Sequence, residues 1–269
     1  MTGMTIRPPA VAGTFYPAAP AVLAAEVARL LDAVPAAEGC PKALMVPHAG
    51  YVYSGAVAAV AYARLRACAA QLRRVVLLGP AHRVAVRGLA LPEAVAFDTP
   101  LGRVALDIDG LQALADLPQV TVNAAAHAGE HSLEVQLPFL QVLLPQFVLL
   151  PLVVGAASPE AVAEVLERVW GGPETLVVIS SDLSHYLPYA EARSVDQATV
   201  ARILALDGPL SHEQACGGTP VNGLLLAARR HGLCPDLLDL RNSGDTAGPR
   251  DRVVGYAALA FAAGHDGTA

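Results

Sequence analysis

The stretch VQLPFLQVLLPQFVLLPLVVGAASP, residues 135–159, carries no charged side chain and is long enough to cross a bilayer. How it is read decides the fold. Pro138, Pro145 and Pro151 interrupt it, and Gln136, Gln141 and Gln146 place an amide every five residues. A single apolar helix does not accommodate that spacing of prolines. Leu133, Leu137, Leu140 and Leu144 share one helical face, and the run FVLLPLVV (147–154) is apolar at consecutive positions. The stretch is therefore a buried helix, a proline stop and a buried strand, and no membrane span is expected.

The same grammar extends in both directions. Apolar runs at 42–46, 74–78, 175–179, 236–240 and 253–261 have the two-sided character of strands covered on both faces. The segment 84–108 alternates and is punctuated by Gly88, Pro92, Pro100 and Gly102, as in a meander. Helical spacing appears at Leu23, Val27, Leu30 and Leu31, and at Val162, Val165, Leu166 and Val169 after Ser158-Pro159-Glu160. Ser54 is positioned to cap a helix over AVAAVAYARL, and further helices are expected over 191–206 and 221–230. Strands alternating with helices predict a single α/β domain over 1–269, with a mostly parallel or mixed central sheet flanked by helices.

Composition agrees with a large core. Of 269 residues, 54% are apolar and only 16% charged, and the net charge is −6. Mild acidity without any Lys/Arg run excludes a nucleic-acid-binding face. The N-terminus lacks the continuous apolar segment of a signal peptide. Cys40, Cys68, Cys216 and Cys234 are scattered, with no CxxC pair. That pattern predicts neither a disulfide framework nor a cysteine zinc site, and makes a reducing cytoplasm the default location.

Polar residues are scarce, and they fall at equivalent places. His48 follows KALMVP, His82 follows RVVLLGPA, Asp182 and His185 follow TLVVISS, and Asn242 and Asp245 follow DLLDLR. In open α/β sheets ligands bind beyond the carboxyl ends of the strands, so these side chains are expected to converge on one crevice. Two histidines and a carboxylate with open positions suit non-heme Fe(II), and zinc or copper fits the same donors. His185 would remain for proton transfer. His127-Ala-Gly-Glu130-His131 matches HxxEH, but Gly129 interrupts the helix that this signature needs. Glu130 and His131 read better as a helix start that lines the crevice. Cys216-Gly217-Gly218-Thr219-Pro220 is a turn into a helix, with glycines that let backbone approach a ligand. His212, His231 and His265 read as surface residues.

These motifs resemble the Memo family, also known in bacteria and archaea as AmmeMemoRadiSam system protein B. The resemblance rests on AGTFYP (12–17), PHAGYVYSG (47–55), LGPAH (78–82), EHSLEVQLPFLQ (130–141), LVVGA (152–156), SSDLSHY (180–186), CGGTPVNGLL (216–225), NSGD (242–245) and VVGYAA (253–258). It implies a fold similar to LigB-type class III extradiol dioxygenases, which open catechol rings with Fe(II) and O2. Residue by residue, His48 and His82 match the metal histidines and His185 the acid/base histidine. Asp182 and His131 match catalytic-pocket positions, and Tyr16 an aromatic pocket residue. Animal members carry a cysteine after the late strand, where this chain has Asn242-Ser243-Gly244-Asp245-Thr246. A one-residue gap places Asp245 there, and the ungapped alignment places Thr246. Asp245 restores two histidines and one carboxylate.

The expected protein is thus a metal-dependent, dioxygenase-like oxidoreductase. It holds one divalent ion, Fe(II) before copper or zinc, at His48, His82 and Asp245. His185, Asp182 and His131 are the expected catalytic residues, and Tyr16, Glu130, Cys216 and Asn242 the pocket for a small substrate. The resemblance implies a radical-SAM protein and an AMMECR-type protein of the same system as partners. The alternatives are a metal- or phosphopeptide-binding module without turnover, and hydrolysis at the same metal.

Overall fold

Along the run that begins at Arg74, Val75 and Leu77 belong to one apolar layer and Val76 and Leu78 to another. Leu176 and Val178 oppose Val177 and Ile179 in the same way, as Leu44 and Val46 oppose Ala43 and Met45. Side chains alternate across a strand, so a run that is apolar at every position requires a cover on both faces. Two helical layers supply it in a computed structural model that describes residues 5–36 and 38–264.

In chain order the first half contains β1 (Ile6–Arg7), α1 (Pro20–Asp32), β2 (Ala43–Val46), a π-helical turn (Tyr51–Gly55), α2 (Ala56–Ala63), β3 (Arg74–Pro80), β4 (Leu89–Leu91), β5 (Ala96–Thr99), β6 (Gly102–Ala105), α3 (Ile108–Leu114), β7 (Val120–Val122), α4 (Ala124–Ala128), α5 (His131–Glu134) and α6 (Leu137–Leu143). The second contains β8 (Val148–Val154), α7 (Pro159–Arg168), β9 (Thr175–Ser180), β10 (His185–Leu187), α8 (Tyr189–Leu204), α9 (Gly218–Arg230), β11 (Leu233–Asn242), a 3-10 turn (Ser243–Asp245) and β12 (Val253–Ala263). The result is a single α/β domain. Its main sheet runs β10-β12-β2-β9-β3-β8-β4-β7, with β11 on the other edge of β12. The central strands β2, β9, β3 and β8 are parallel; the pairs β11–β12, β12–β2 and β8–β4 are antiparallel, and β4–β7 is parallel. β1, β5 and β6 form a separate small sheet, so the expected meander is shared between two sheets.

The stretch 135–159 is helix α6 followed by strand β8, and no helix among the described residues is long and apolar enough to cross a membrane. Two local expectations are corrected. Ser54 does not cap α2: it lies inside the π-helical turn, and its hydroxyl donates to Ala49 O. Cys40 and Cys68 form a disulfide, which the scattered spacing hid. The crossover helix α2 returns the chain toward the start of β2, bringing together residues 28 apart. This pairing removes the cysteine argument for a reducing compartment. Cys216 and Cys234 are free, and His265 lies outside the described residues.

A buried ion pair anchors the N-terminal segment beneath the site. The Arg7 guanidinium donates to Glu134 Oε2 (2.7 Å), His127 O (2.6 Å) and Glu130 O (2.7 Å). Glu134 also accepts from the Ala10 and Val11 amides and from the Tyr16 hydroxyl. Its side chain has no exposure, and Arg7 has 6%. Removing one partner of such a pair strands the other charge in a low-dielectric site. Glu134→Ala is expected to lower stability by about 3–5 kcal/mol, read from urea unfolding; an unchanged midpoint would contradict this role.

Candidate metal centre

The strand order β2-β9-β3 sets the site. Val46 pairs with Ser180 and Leu78 with Ile179, so the three carboxyl ends are level. His48, Asp182 and His82 each stand two residues past their strand and face the same edge. Gly79 brings in the fourth element. A Cβ there would meet Ser132 Oγ at 2.6 Å and Leu133 Cδ2 at 2.9 Å, so only glycine lets α5 pack directly on β3. His131, the first residue of α5, thereby joins the other two imidazoles.

His48, His82 and His131 each offer one ring nitrogen, and these atoms lie within 4.8 Å of one another. The rings of His82 and His131 stack at 4.6 Å, and His48 meets both edge-on at 5.1 and 5.5 Å. Hydrogen bonding aims the nitrogens. Ser180 Oγ donates to Ser132 O (2.5 Å) and accepts from Gln136 Nε2 (2.8 Å). Its proton is committed, so His48 Nδ1 must donate to it (2.9 Å), which leaves the His48 Nε2 lone pair for the cluster. The Tyr62 hydroxyl and Pro47 O hold Gln136 in turn. His82 Nδ1 donates to Glu130 Oε1 (2.9 Å), a carboxylate that can only accept, which leaves Nε2 as the nitrogen available to the cluster. Buried His131 Nδ1 has no hydrogen-bond partner and is 3.4 Å from the same oxygen. Imidazoles fixed through one nitrogen by a hydroxyl or carboxylate, with the other nitrogen turned inward, are the donor arrangement of metal sites, and His48 and His82 have it.

Electrostatics point the same way. Burial, then the neighbouring His82 and His131, holds His48 well below the usual histidine range. Burial and His82 lower His131 to about 4. These two rings are neutral at pH 7, as metal ligation requires. Burial alone would raise Glu130. The hydrogen bonds from the His82 ring and amide, the His82 charge and the Ser132 amide instead hold it down to about 2. Burial raises Asp182 to about 7 against the opposing His48 and Ala49 amides and His82. Its Oδ1 accepts from the His48 amide (2.7 Å), and its Oδ2 is 4.0 Å from His48 Nε2.

The cluster opens onto a cavity of about 820 Å³ lined by His82, His185, Cys216 and mainly apolar side chains from Ala81 to Val195. His185 Nδ1 donates to Leu183 O (2.9 Å), so its Nε2 is free. His185 sits at a β-bulge against β12, and the next residue, Tyr186, has φ 60°. His212 is exposed, as expected, but stands on the cavity rim. His231 is a surface residue stacked on Trp170.

Other expected site residues lie elsewhere. Asp245 does not join the histidines. Strand β11 ends on the far side of β12, whose first residues pair with His185 on one edge and Asn242 on the other. The exposed Asp245 carboxylate accepts from the Tyr189 hydroxyl (2.5 Å) and the Asn242 amide (3.1 Å). It belongs to a capping box with Asn242, whose side chain accepts from Gly244 N. Thr246 follows, also exposed. Tyr16 is buried, with its hydroxyl on Glu134. Phe15, one residue earlier, contacts His131 at 4.7 Å between ring centres. His127 of the HxxEH match is turned away, its Nε2 donating to Ala90 O. Sequence reading passed over Ser180 and Gln136; an amide recurring within an apolar helix was the available signal.

Acid should unfold the metal-free protein. Burial lowers His127, like His131, to about 4 and holds His48 well below its ordinary range, against about 6.5 unfolded. Between those values the unfolded chain binds more protons, so stability falls as pH drops from about 6.5 toward 4. Asp182, raised to about 7, and Asp196, also raised by burial, work in the opposite direction, while His185, lowered by burial, adds to the histidine effect. Thermal melts should show a Tm that declines on acidification across this window; a flat profile would contradict buried neutral imidazoles.

Comparison with known proteins agrees with this architecture. The Memo-like protein family model matches residues 7–260. A MEMO1 family protein of Aquifex aeolicus is 36% identical, covering 96% of this chain and all of its own length. One from Methanosarcina barkeri is 37% identical over 94% of this chain and 99% of its own, and one from Archaeoglobus fulgidus 35% over 95% and 99%. The chain belongs to the Memo-like protein family.

Proposed function

We propose that His48, His82 and His131 hold one divalent metal ion and that the protein is an oxidoreductase acting with O2 on a small, apolar or aromatic substrate. The observation that carries this reading is the opening of a metal-ready imidazole cluster onto an apolar cavity that also contains His185. Imidazole suits iron, copper and zinc alike. We favour Fe(II), because Asp182 supplies a carboxylate beside His48 and oxygen chemistry needs a redox metal. When bound, the ion would supply a Lewis acid and a site for electron exchange.

The chain's own residues do the rest. The cavity walls displace water and orient an apolar ring against His82. His185, with its Nδ1 proton on Leu183 O, accepts a substrate hydroxyl proton at Nε2 and returns it later. Asp182 binds the His48 amide and fixes the loop that carries that ligand. Phosphopeptide capture is disfavoured, because phosphate recognition relies on arginine and neither Lys nor Arg lines the cavity. Metalloprotease-type hydrolysis is disfavoured by the orientation of His127.

Anaerobically purified protein loaded with Fe(II) should consume O2 with some members of a catechol panel. His185→Ala should keep its iron and lose about 10²–10⁴-fold in turnover. No uptake with iron bound would favour a binding role. Metal content should fall to background in His48→Ala/His82→Ala, whereas Ser180→Ala should weaken metal affinity about 10–100-fold; full metal content in the double variant would overturn the ligand assignment.

A further inference from the structure

The cavity is lined from two unlike sources. Ala85 and Val86, past β3, and Val154 and Ala156, at and past the end of β8, give it apolar surface. The connection between α8 and α9 brings His212, Glu213 and Gln214 to it. That connection is already fastened. Buried Asn222 of α9 accepts from the Leu210 amide (2.7 Å) and donates to Leu210 O (3.0 Å). Arg202 of α8 donates to Pro209 O (3.1 Å) and Gln214 Oε1 (3.4 Å), and that oxygen also accepts from the Ser211 amide (3.0 Å). The Ala215 amide closes the turn on Ser211 O (3.1 Å). Side chains carried on a backbone whose bonds are made cost less to order when a ligand arrives. What they offer is acceptors. A carboxylate can only accept, and a hydrogen bond from Ser211, then the Glu213 amide, holds the Glu213 carboxyl below its usual range. His212 Nδ1 donates to Cys216 O (3.3 Å), which in the neutral ring leaves Nε2 as an acceptor. Among the described residues, no lysine or arginine lines the cavity and Glu213 is its only carboxylate. Arg252, stacked on the Tyr186 ring (5.0 Å), does not line it.

A ligand suited to acceptors without a fixed cation brings its own donors and its own positive charge. A primary ammonium does both, with three N–H donors and no acceptor. We infer that the connection between α8 and α9 is a subsite for a cationic group, and that the cavity takes an amphipathic amine. The apolar or aromatic body lies along Val86 and Val154, a ring hydroxyl reaches His185, and the ammonium donates to Glu213 and His212 at the rim. This names the substrate class of the cavity and rests on its reading as a substrate site. An anionic tail would instead face Glu213 as a like charge, a juxtaposition that rejects wrong partners. Glu213 is exposed, so solvent screening keeps the selection to a few-fold.

Calorimetric titration of the full-length protein, loaded anaerobically with Fe(II), tests this with ethylcatechol, aminoethylcatechol and carboxyethylcatechol. The three share a ring and differ in a neutral, cationic or anionic tail. The wild type should bind the amine roughly two- to fivefold more tightly than the ethyl compound, the range of an exposed ion pair, and the carboxylate more weakly than either. In Glu213→Gln the amine and ethyl compounds should bind within about twofold of each other, and Glu213→Lys should reverse the order of amine and carboxylate. Glu38→Gln, which removes the same charge ahead of β2, should keep the wild-type order. Equal affinities for the three tails, or an amine preference that persists in Glu213→Gln, overturn the subsite while leaving the catechol reading intact. Binding of none of the three overturns both. If Glu213→Gln misfolds by circular dichroism, salt decides on the wild type. The amine preference should shrink toward parity at about 1 M, where charges act over only about 3 Å, and an undiminished preference would refute recognition by charge.

Discussion

Three parallel strands in the order β2-β9-β3, with their carboxyl ends in register, are the constraint on which the site depends. They convert three separate sequence positions into one layer of loops. Each of His48, Asp182 and His82 leaves its strand after the same two-residue step. The buried carboxylate of Glu130 then joins this layer to α5, because it accepts from the His82 ring, the His82 amide and the Ser132 amide at once. Without the strand register those donors would not face one acceptor.

The polar interior is organised around a charge asymmetry. Desolvation keeps His48 and His131 uncharged, while the hydrogen bonds from the His82 ring, the His82 amide and the Ser132 amide help to keep Glu130 ionised. The result is two neutral imidazoles, His48 and His131, beside a fixed negative charge. A cation held there would meet donors already oriented by Ser180 and Glu130. Arg7 and Glu134 sit behind this set as an ion pair, so the anchoring of the N-terminal segment adds no net charge beside the centre.

Much of the fold was legible from residue order. The strands β2, β3, β8 and β9 fall within a residue or two of the predicted runs, because a strand covered on both faces has an unmistakable apolar signature. The two cluster histidines just past β2 and β3 were legible for the same reason. What was not legible depends on lateral neighbours. Nothing in the local sequence tells that β12 inserts between the end of β11 and the segment at His185, and that insertion separates Asp245 from the histidines. The arrival of His131 depends on a close approach at Gly79, a contact between residues more than fifty positions apart. The Cys40–Cys68 bridge likewise needs the return path of α2. Ser180 and Gln136 were hidden because their role is to set a tautomer, which becomes visible only when each donor and acceptor is counted.

Tyr186 has a left-handed backbone although its ring is 62% exposed. That conformation costs a residue with a side chain about 1–2 kcal/mol, and little burial of its own ring offsets the expense. Neighbouring elements impose it: the Leu183 and Gly255 amides bond across to β12 and the chain, and Asp196 accepts from the Ser184 amide. The backbone after His185 is therefore a loaded spring compressed by its surroundings. The imidazole is aimed by two things together, its Nδ1 bond to Leu183 O and the pairing of this bend with β12.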